Sequence, residues 1–416
     1  MLTLVDTAMV GVLGNVALAA VGVSNYAYYM VTAFMAGLGM CSQIMTARRK
    51  GEGKTHELAV PLNGALLLGL VASIPLSLTL FSLVPEIFPC LNSEPEVIAS
   101  GIPYLRARVV GIIGIAINFS HYGYLTGIGR TALCLRIGLV MQVLNVILNY
   151  GLIFGHFGFP QLGSTGAGLG STIATFIGSA LYTVVALKMA RDNGFLRSLP
   201  SFDTLRPMIR LSATSALQQF FFAAGIAALI WIIGRIGIRE TAAANVLLNI
   251  TLLMILPCMG LGLAAATLVG QALGRGDHED AKKWGWDATK MGMQFMGIAA
   301  LLFLAVPDLI LSLFLHDPET LRFTRPLLQL TGVMIFIDGF GLIILHGLIG
   351  AGDTTRVMVI SMVLQWGLFL PASYLVGLYG GYGLTGVWIA LGVYRLLNAM
   401  IFGVLWVQGK WALIKI

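Results

Sequence analysis

LVDTAMVGVLGNVALAAVGVSNYAYYMVTAFMAGLGMCSQIMTARRKGEG, residues 4–53, is an apolar run with an acid, Asp6, near its start and a charged end of Arg48, Arg49, Lys50 and Glu52. Its pattern returns further along the chain. Moved by 223 positions, Gly11, Gly14, Gly37, Gly39, Gly51 and Gly53 fall on Gly234, Gly237, Gly260, Gly262, Gly274 and Gly276. The same frame puts Glu94-Pro95-Glu96 on Asp317-Pro318-Glu319, and Gly127 and Gly129 on Gly350 and Gly352. A single offset held over more than a hundred residues marks an internal duplication.

The rest of the chain is equally apolar. Of its 416 residues 57% are hydrophobic and 10% charged, against about 25% charged in a soluble domain. Apolar runs recur that are long enough to cross a hydrocarbon core of about 30 Å as helices. They are far too long for barrel strands, so the expected class is an all-α polytopic membrane protein. The net charge of +7 lies mostly in short loops, which favours topology over nucleic-acid binding. The four cysteines are scattered without a CxxC, which argues against a metal site or a disulfide framework. The first residues lack a basic n-region and hold an aspartate, unlike a cleavable signal peptide.

Twelve spans are expected. In the first half they are residues 1–13, 16–47, 57–83, 97–127, 132–154 and 166–190. In the second they are 207–233, 241–273, 281–315, 320–350, 357–378 and 383–407. The domains read as an N-lobe (1–195), a polar linker (196–206) and a C-lobe (207–416). Under the repeat Asp6 falls on Leu229, well inside span seven, so the expectation is a native first helix truncated in this sequence. Arg48, Arg49, Lys50, Lys54, Arg130, Arg191, Arg197, Arg206, Arg275, Lys282, Lys283, Arg356, Lys410 and Lys415 fall on one face, which the positive-inside rule makes cytoplasmic, with both termini. Glu94, Glu96, Asp317 and Glu319 mark the other face, to which Arg106, Arg108, Arg322 and Arg325 are also assigned.

Most acids fall in loops or towards span ends, and Asp6 and Asp338 are the two read as lying within apolar sequence away from them. A carboxylate near a helix centre costs about 2.5–3.5 kcal/mol to insert, so each is a candidate functional group. Asn145 and Asn149 in span five are four apart and share one helical face. With Asp6 they offer oxygen ligands to a small cation, or a carboxylate that exchanges a proton. The asparagines serve equally well as interhelical hydrogen-bond partners. For Asp338 the partner candidates are Gln218 and Gln219, with His346 two turns further along the same helix. Tyr28, Gln219 and Phe222 are candidates for lining a substrate cavity, and Pro257 and Pro371 for bending their spans.

Together these phrases resemble the multidrug and toxic compound extrusion (MATE) family, in its bacterial NorM-type branch. The matching phrases are Val5-Asp6-Thr7 with Gly11, Gly37-Leu38-Gly39 through Gly53, Gly270-Gln271 to Gly274, Leu144 through Asn149, and the Gly163-to-Gly168 turn region. The resemblance covers essentially the whole chain. It implies two six-helix lobes in a V, both termini inside the inner or plasma membrane, and a monomer in the lipid bilayer. It also implies antiport of cationic or amphiphilic small molecules against Na⁺ or H⁺, with no cofactor. By the resemblance, Asp6, Asn145 and Asn149 match the N-lobe cation site, and Asp338 the C-lobe acid. Gln218 stands where many members have a glutamate, and Met334 where they have a tyrosine. A lipid-linked oligosaccharide flippase of the same superfamily is the alternative, although it would favour a cavity rich in Arg and Lys. An intramembrane enzyme would need HExxH, paired catalytic acids or a Ser/His arrangement, and the sequence has none of these.

Overall fold

Glycine and proline punctuate the helices. The computed structural model describes residues 2–198, 200–315 and 317–414, with no strand among them. Met1 and Lys415, both used in the sequence reading, lie outside the described residues. In chain order the first helices are α1 (Leu2–Val10), α2 (Asn15–Gly51), α3 (Val60–Leu91) and α4 (Pro95–Gly127). They are followed by α5 (Thr131–Phe154), α6 (Gly163–Met189) and α7 (Phe202–Gly234). The second half has α8 (Ile238–Gly274), α9 (His278–Ala305), α10 (Pro307–Ser312), α11 (Pro318–Gly350), α12 (Thr354–Met362), α13 (Leu370–Tyr374) and α14 (Gly383–Gln408).

Among the described residues eleven helices are long and apolar enough to cross a membrane, counting Thr354–Tyr379 as one span. This is an integral membrane protein. The eleven leave out α1, whose nine residues rise about 14 Å, roughly half a hydrocarbon core. The duplication shows in the helix bounds: α2 and α8 have 37 residues each, α4 and α11 have 33 each, and both pairs keep the 223-residue offset. Gly129 and Gly352, which close the turns after α4 and α11, have φ of 80° and 93°, where a Cβ would be strained.

Several boundaries differ from the sequence reading. Span three, expected to end at residue 83, continues through Pro85 and Pro89 to Leu91. Span nine does not run to Leu315; it ends at Ala305 and restarts at Pro307, because proline cannot donate its missing N–H to a continuing helix. The last residues of the expected linker, from Phe202, join α7. Span eleven is not simply bent at Pro371. It widens into π-helical turns over Val363–Phe369 and Leu375–Tyr379 on either side of α13, whereas α8 continues through Pro257 as one helix.

Contacts group the chain into two units, residues 1–46 with 54–220, and 47–53 with 221–416. In the first, Met35, Phe88, Leu105 and Ile112 form a core between α2, α3 and α4. Val10, Tyr104, Ile153 and Ala167 form a smaller one that seats the end of α1. Asn63 of α3 pins the segment before α7: its Nδ2 donates to the Gly194 and Ser198 carbonyls at 2.8 Å each, and its Oδ1 accepts from Leu196 N at 3.1 Å. In the second unit, Leu247, Phe303, Leu327 and Trp388 belong to one continuous core. There Gly274 meets the end of α2 so closely that a Cβ would lie 2.8 Å from Gly51 Cα, which requires glycine at this crossing.

Candidate functional site

Packing in the first unit is set by small residues and hydroxyls. Gly166 and Gly170 of α6 let α5 approach, since a Cβ on Gly166 would strike the Leu152 carbonyl and one on Gly170 would strike Asn149 Oδ1. Hydroxyls then fix α6 against α4: Thr172 Oγ1 donates to the Ala107 carbonyl at 2.8 Å and Ser179 Oγ to the Gly114 carbonyl at 3.1 Å. This register brings Ser171 and Arg108, the neighbours of Thr172 and Ala107, to the same place.

Asp6 sits there, fully buried. Its Oδ1 accepts from Asn149 Nδ2 at 2.7 Å and from Ser171 Oγ at 2.8 Å; the same hydroxyl lies 2.7 Å from Oδ2. Asn145 Nδ2 lies 3.5 Å from Oδ1 and donates to Ser171 Oγ at 2.8 Å. On the other side the Tyr104 hydroxyl is 3.5 Å from Oδ2 and bonds Asn25 Oδ1 at 2.9 Å. Arg108 NH1 stops 4.0 Å from Oδ2, and its guanidinium lies 4.2 Å over the Tyr28 ring.

The structure thus brings Asp6, Asn145 and Asn149 together. It adds Ser171, Tyr104 and Arg108, which the sequence reading missed. Arg108 is assigned by sequence to the outer face, but it is buried within the unit at 3% exposure because Asp6 and Tyr28 supply it with a carboxylate and an aromatic face. Tyr28, expected to line a substrate cavity, is itself buried beneath that guanidinium. Asn145 Oδ1 and Asn149 Oδ1 are buried and accept no hydrogen bond, so the cluster has amide oxygens to spare for a hard cation.

The second acid has different company. Asp338 of α11 pairs directly with the Arg395 guanidinium of α14, and the two side chains are 16% and 12% exposed. Its ionic partner is Arg395. Gln218 and Gln219 are half-buried on α7, and Phe222 is half-exposed. His346 is buried, with Nδ1 2.8 Å from the carbonyl of Leu342 on its own helix. Among the described residues no group of three or more His, Cys, Asp or Glu side chains is placed to hold a metal ion.

The fold and site define an integral membrane protein of long apolar helices, with a buried carboxylate and two donor-free amide oxygens inside its first unit. The chain belongs to the MatE family, whose model matches residues 1–151 and 214–375. It is 26% identical over 414 residues to the probable multidrug resistance protein NorM of Thermotoga maritima, covering 98% of this chain and 88% of that one. It is also 26% identical over 396 residues to the multidrug resistance protein PmpM of Pseudomonas aeruginosa, covering 93% and 83%. Among solved structures, a MATE in the bent conformation matches with a TM-score of 0.89 at 21% identity, over 98% of this chain and 90% of that one. An outward-facing multidrug resistance MATE family transporter of the MOP superfamily also gives 0.89 at 21%, over 100% and 92%. At these identities the structures speak for the fold.

Proposed function

We propose that the protein is a secondary active multidrug exporter that carries cationic or amphiphilic small molecules out of the cell against Na⁺ or H⁺. The relatives named for multidrug resistance support the reading as a multidrug exporter. The observation that carries the coupling reading is the Asp6 cluster, one buried carboxylate beside two amide oxygens without donors. A cation or proton taken up by Asp6 changes the charge of this cluster, and with it the stability of one transport state relative to the other. If ion and substrate prefer opposite states, each promotes release of the other by reciprocal linkage. The lobes 1–195 and 207–416 are the bodies proposed to alternate, with both termini cytoplasmic. A flippase for pyrophosphate-linked lipids is less well supported, since the two arginines found within the spans at these sites, Arg108 and Arg395, each stand beside an acid.

Reconstituted vesicles test the reading. Efflux of a cationic dye is expected to follow an imposed Na⁺ or H⁺ gradient in the wild type and to fall to the leak rate in Asp6→Asn. Dye movement driven equally by both proteins would remove Asp6 from the coupling.

A further inference from the structure

Arg108 is buried beside a carboxylate yet does not hydrogen-bond to it. Its NH1 is 4.0 Å from Asp6 Oδ2, and its Nε, also buried, donates to nothing. A guanidinium does not give up its charge in a protein. Around Asp6 stand Tyr104 and Arg108 from α4, Asn145 and Asn149 from α5 and Ser171 from α6, while Tyr28 of α2 faces the guanidinium. Among these groups Arg108 alone carries a fixed positive charge. The pair is neutral while Asp6 is ionised, and a second cation at Asp6 leaves an excess positive charge in an apolar interior.

We propose that Arg108 is a positioning residue that acts as a tethered competitor for the coupling cation at Asp6 and so sets that cation's affinity. The proposal rests on the coupling role given to Asp6 above. It explains why the guanidinium is held on an aromatic face rather than in a bidentate pair. The Tyr28 ring keeps it close enough to neutralise the carboxylate in the unloaded state and free enough to withdraw when a cation arrives. A weaker resting affinity allows the cation to leave once it has crossed.

The test is a titration of the full-length purified protein with Na⁺ and, separately, with H⁺, read as thermal stabilisation. Arg108→Gln is expected to reach half-saturation at a cation concentration at least tenfold lower than wild type, and Arg108→Lys within about threefold of it. If Arg108→Gln fails to fold, Arg108→Met, which keeps an apolar chain over Tyr28, is read in its place. A structural role alone would weaken cation binding, so tighter binding distinguishes the two. Unchanged or weaker binding in the folded variant, with Asp6→Asn abolishing the response, would overturn the competitor role and leave the coupling site standing. A response that survives in Asp6→Asn would overturn both.

Discussion

Asp6 and Asp338 are the same residue type in comparably apolar helices, yet they are held in different ways. Asp338 has a guanidinium directly on its oxygen, and its charge is met by a partner on a neighbouring helix. Asp6 is held by neutral donors, Asn149 and Ser171 at 2.7–2.8 Å, while its arginine stays at 4.0 Å. A directly paired acid resists a new cation because the resident one must first be removed. An acid held mainly by amides and a hydroxyl is still able to exchange, because those groups can turn an oxygen towards an arriving ion. An intramembrane carboxylate is therefore read from its partners rather than from its position.

The first way to break this contrast is to unpair the second site. Removing one member of a buried ion pair leaves a stranded charge, while removing both is often neutral. With Asp338 and Arg395 16% and 12% exposed, solvent reduces the effect. Arg395→Met is expected to cost about 2 kcal/mol of thermal stability in detergent. Arg395→Met combined with Asp338→Leu should recover at least half of that loss and keep gradient-driven efflux. A folded double variant that no longer transports would place the second acid in the coupling and erase the distinction.

A smaller contrast lies at the repeat-related corners. Asp317 caps α11: its Oδ2 accepts from Thr320 Oγ1 at 2.5 Å and from Thr320 N at 2.9 Å, and these bonds hold its carboxyl below the usual range. Glu94, its counterpart before α4, makes no such side-chain cap. Because the folded state lowers the carboxyl, the capping contribution is complete above the ordinary carboxylate value and is lost as pH falls through the lowered one. As pH falls below the ordinary aspartate value of about 3.9 and through the lowered one, the first amides of α11 should therefore lose hydrogen-exchange protection relative to those of α4. Equal change at both corners would contradict the cap.

Much of this was legible in the sequence, for a physical reason. Hydropathy and length decide which segments cross a bilayer, and the Pro95/Gly127 and Pro318/Gly350 bounds of α4 and α11 mark where backbone chemistry starts and stops a helix. The i, i+4 spacing of Asn145 and Asn149 puts them on one face, and the structure turns that face to Asp6. Ser171 was legible only as one of a row: Ser171, Thr175 and Ser179 recur every four residues along one face of α6, but nothing in that row singles out the hydroxyl that meets Asp6; Gly166, Gly168 and Gly170 mark where α6 comes close to its neighbours. Arg108 and Arg395 were within reach. The cost of burying charge applies to bases as well as acids, and Tyr104 and Arg108, four apart, lie on one face of α4. Pairing across helices depends on tertiary register, which one strand of sequence does not display. The π-helical turns around Pro371 show the same limit: proline marks the disturbance, but whether the helix breaks or widens depends on its neighbours.

The difference between the two acids is tested most directly by cation binding to purified wild type, Asp6→Asn and Asp338→Asn, using radioactive Na⁺ and, in parallel, proton release on addition of a cationic dye. Loss of the cation signal in Asp6→Asn, with Asp338→Asn keeping wild-type stoichiometry, is the predicted result. Retention in Asp6→Asn, or loss in a folded Asp338→Asn, would contradict it.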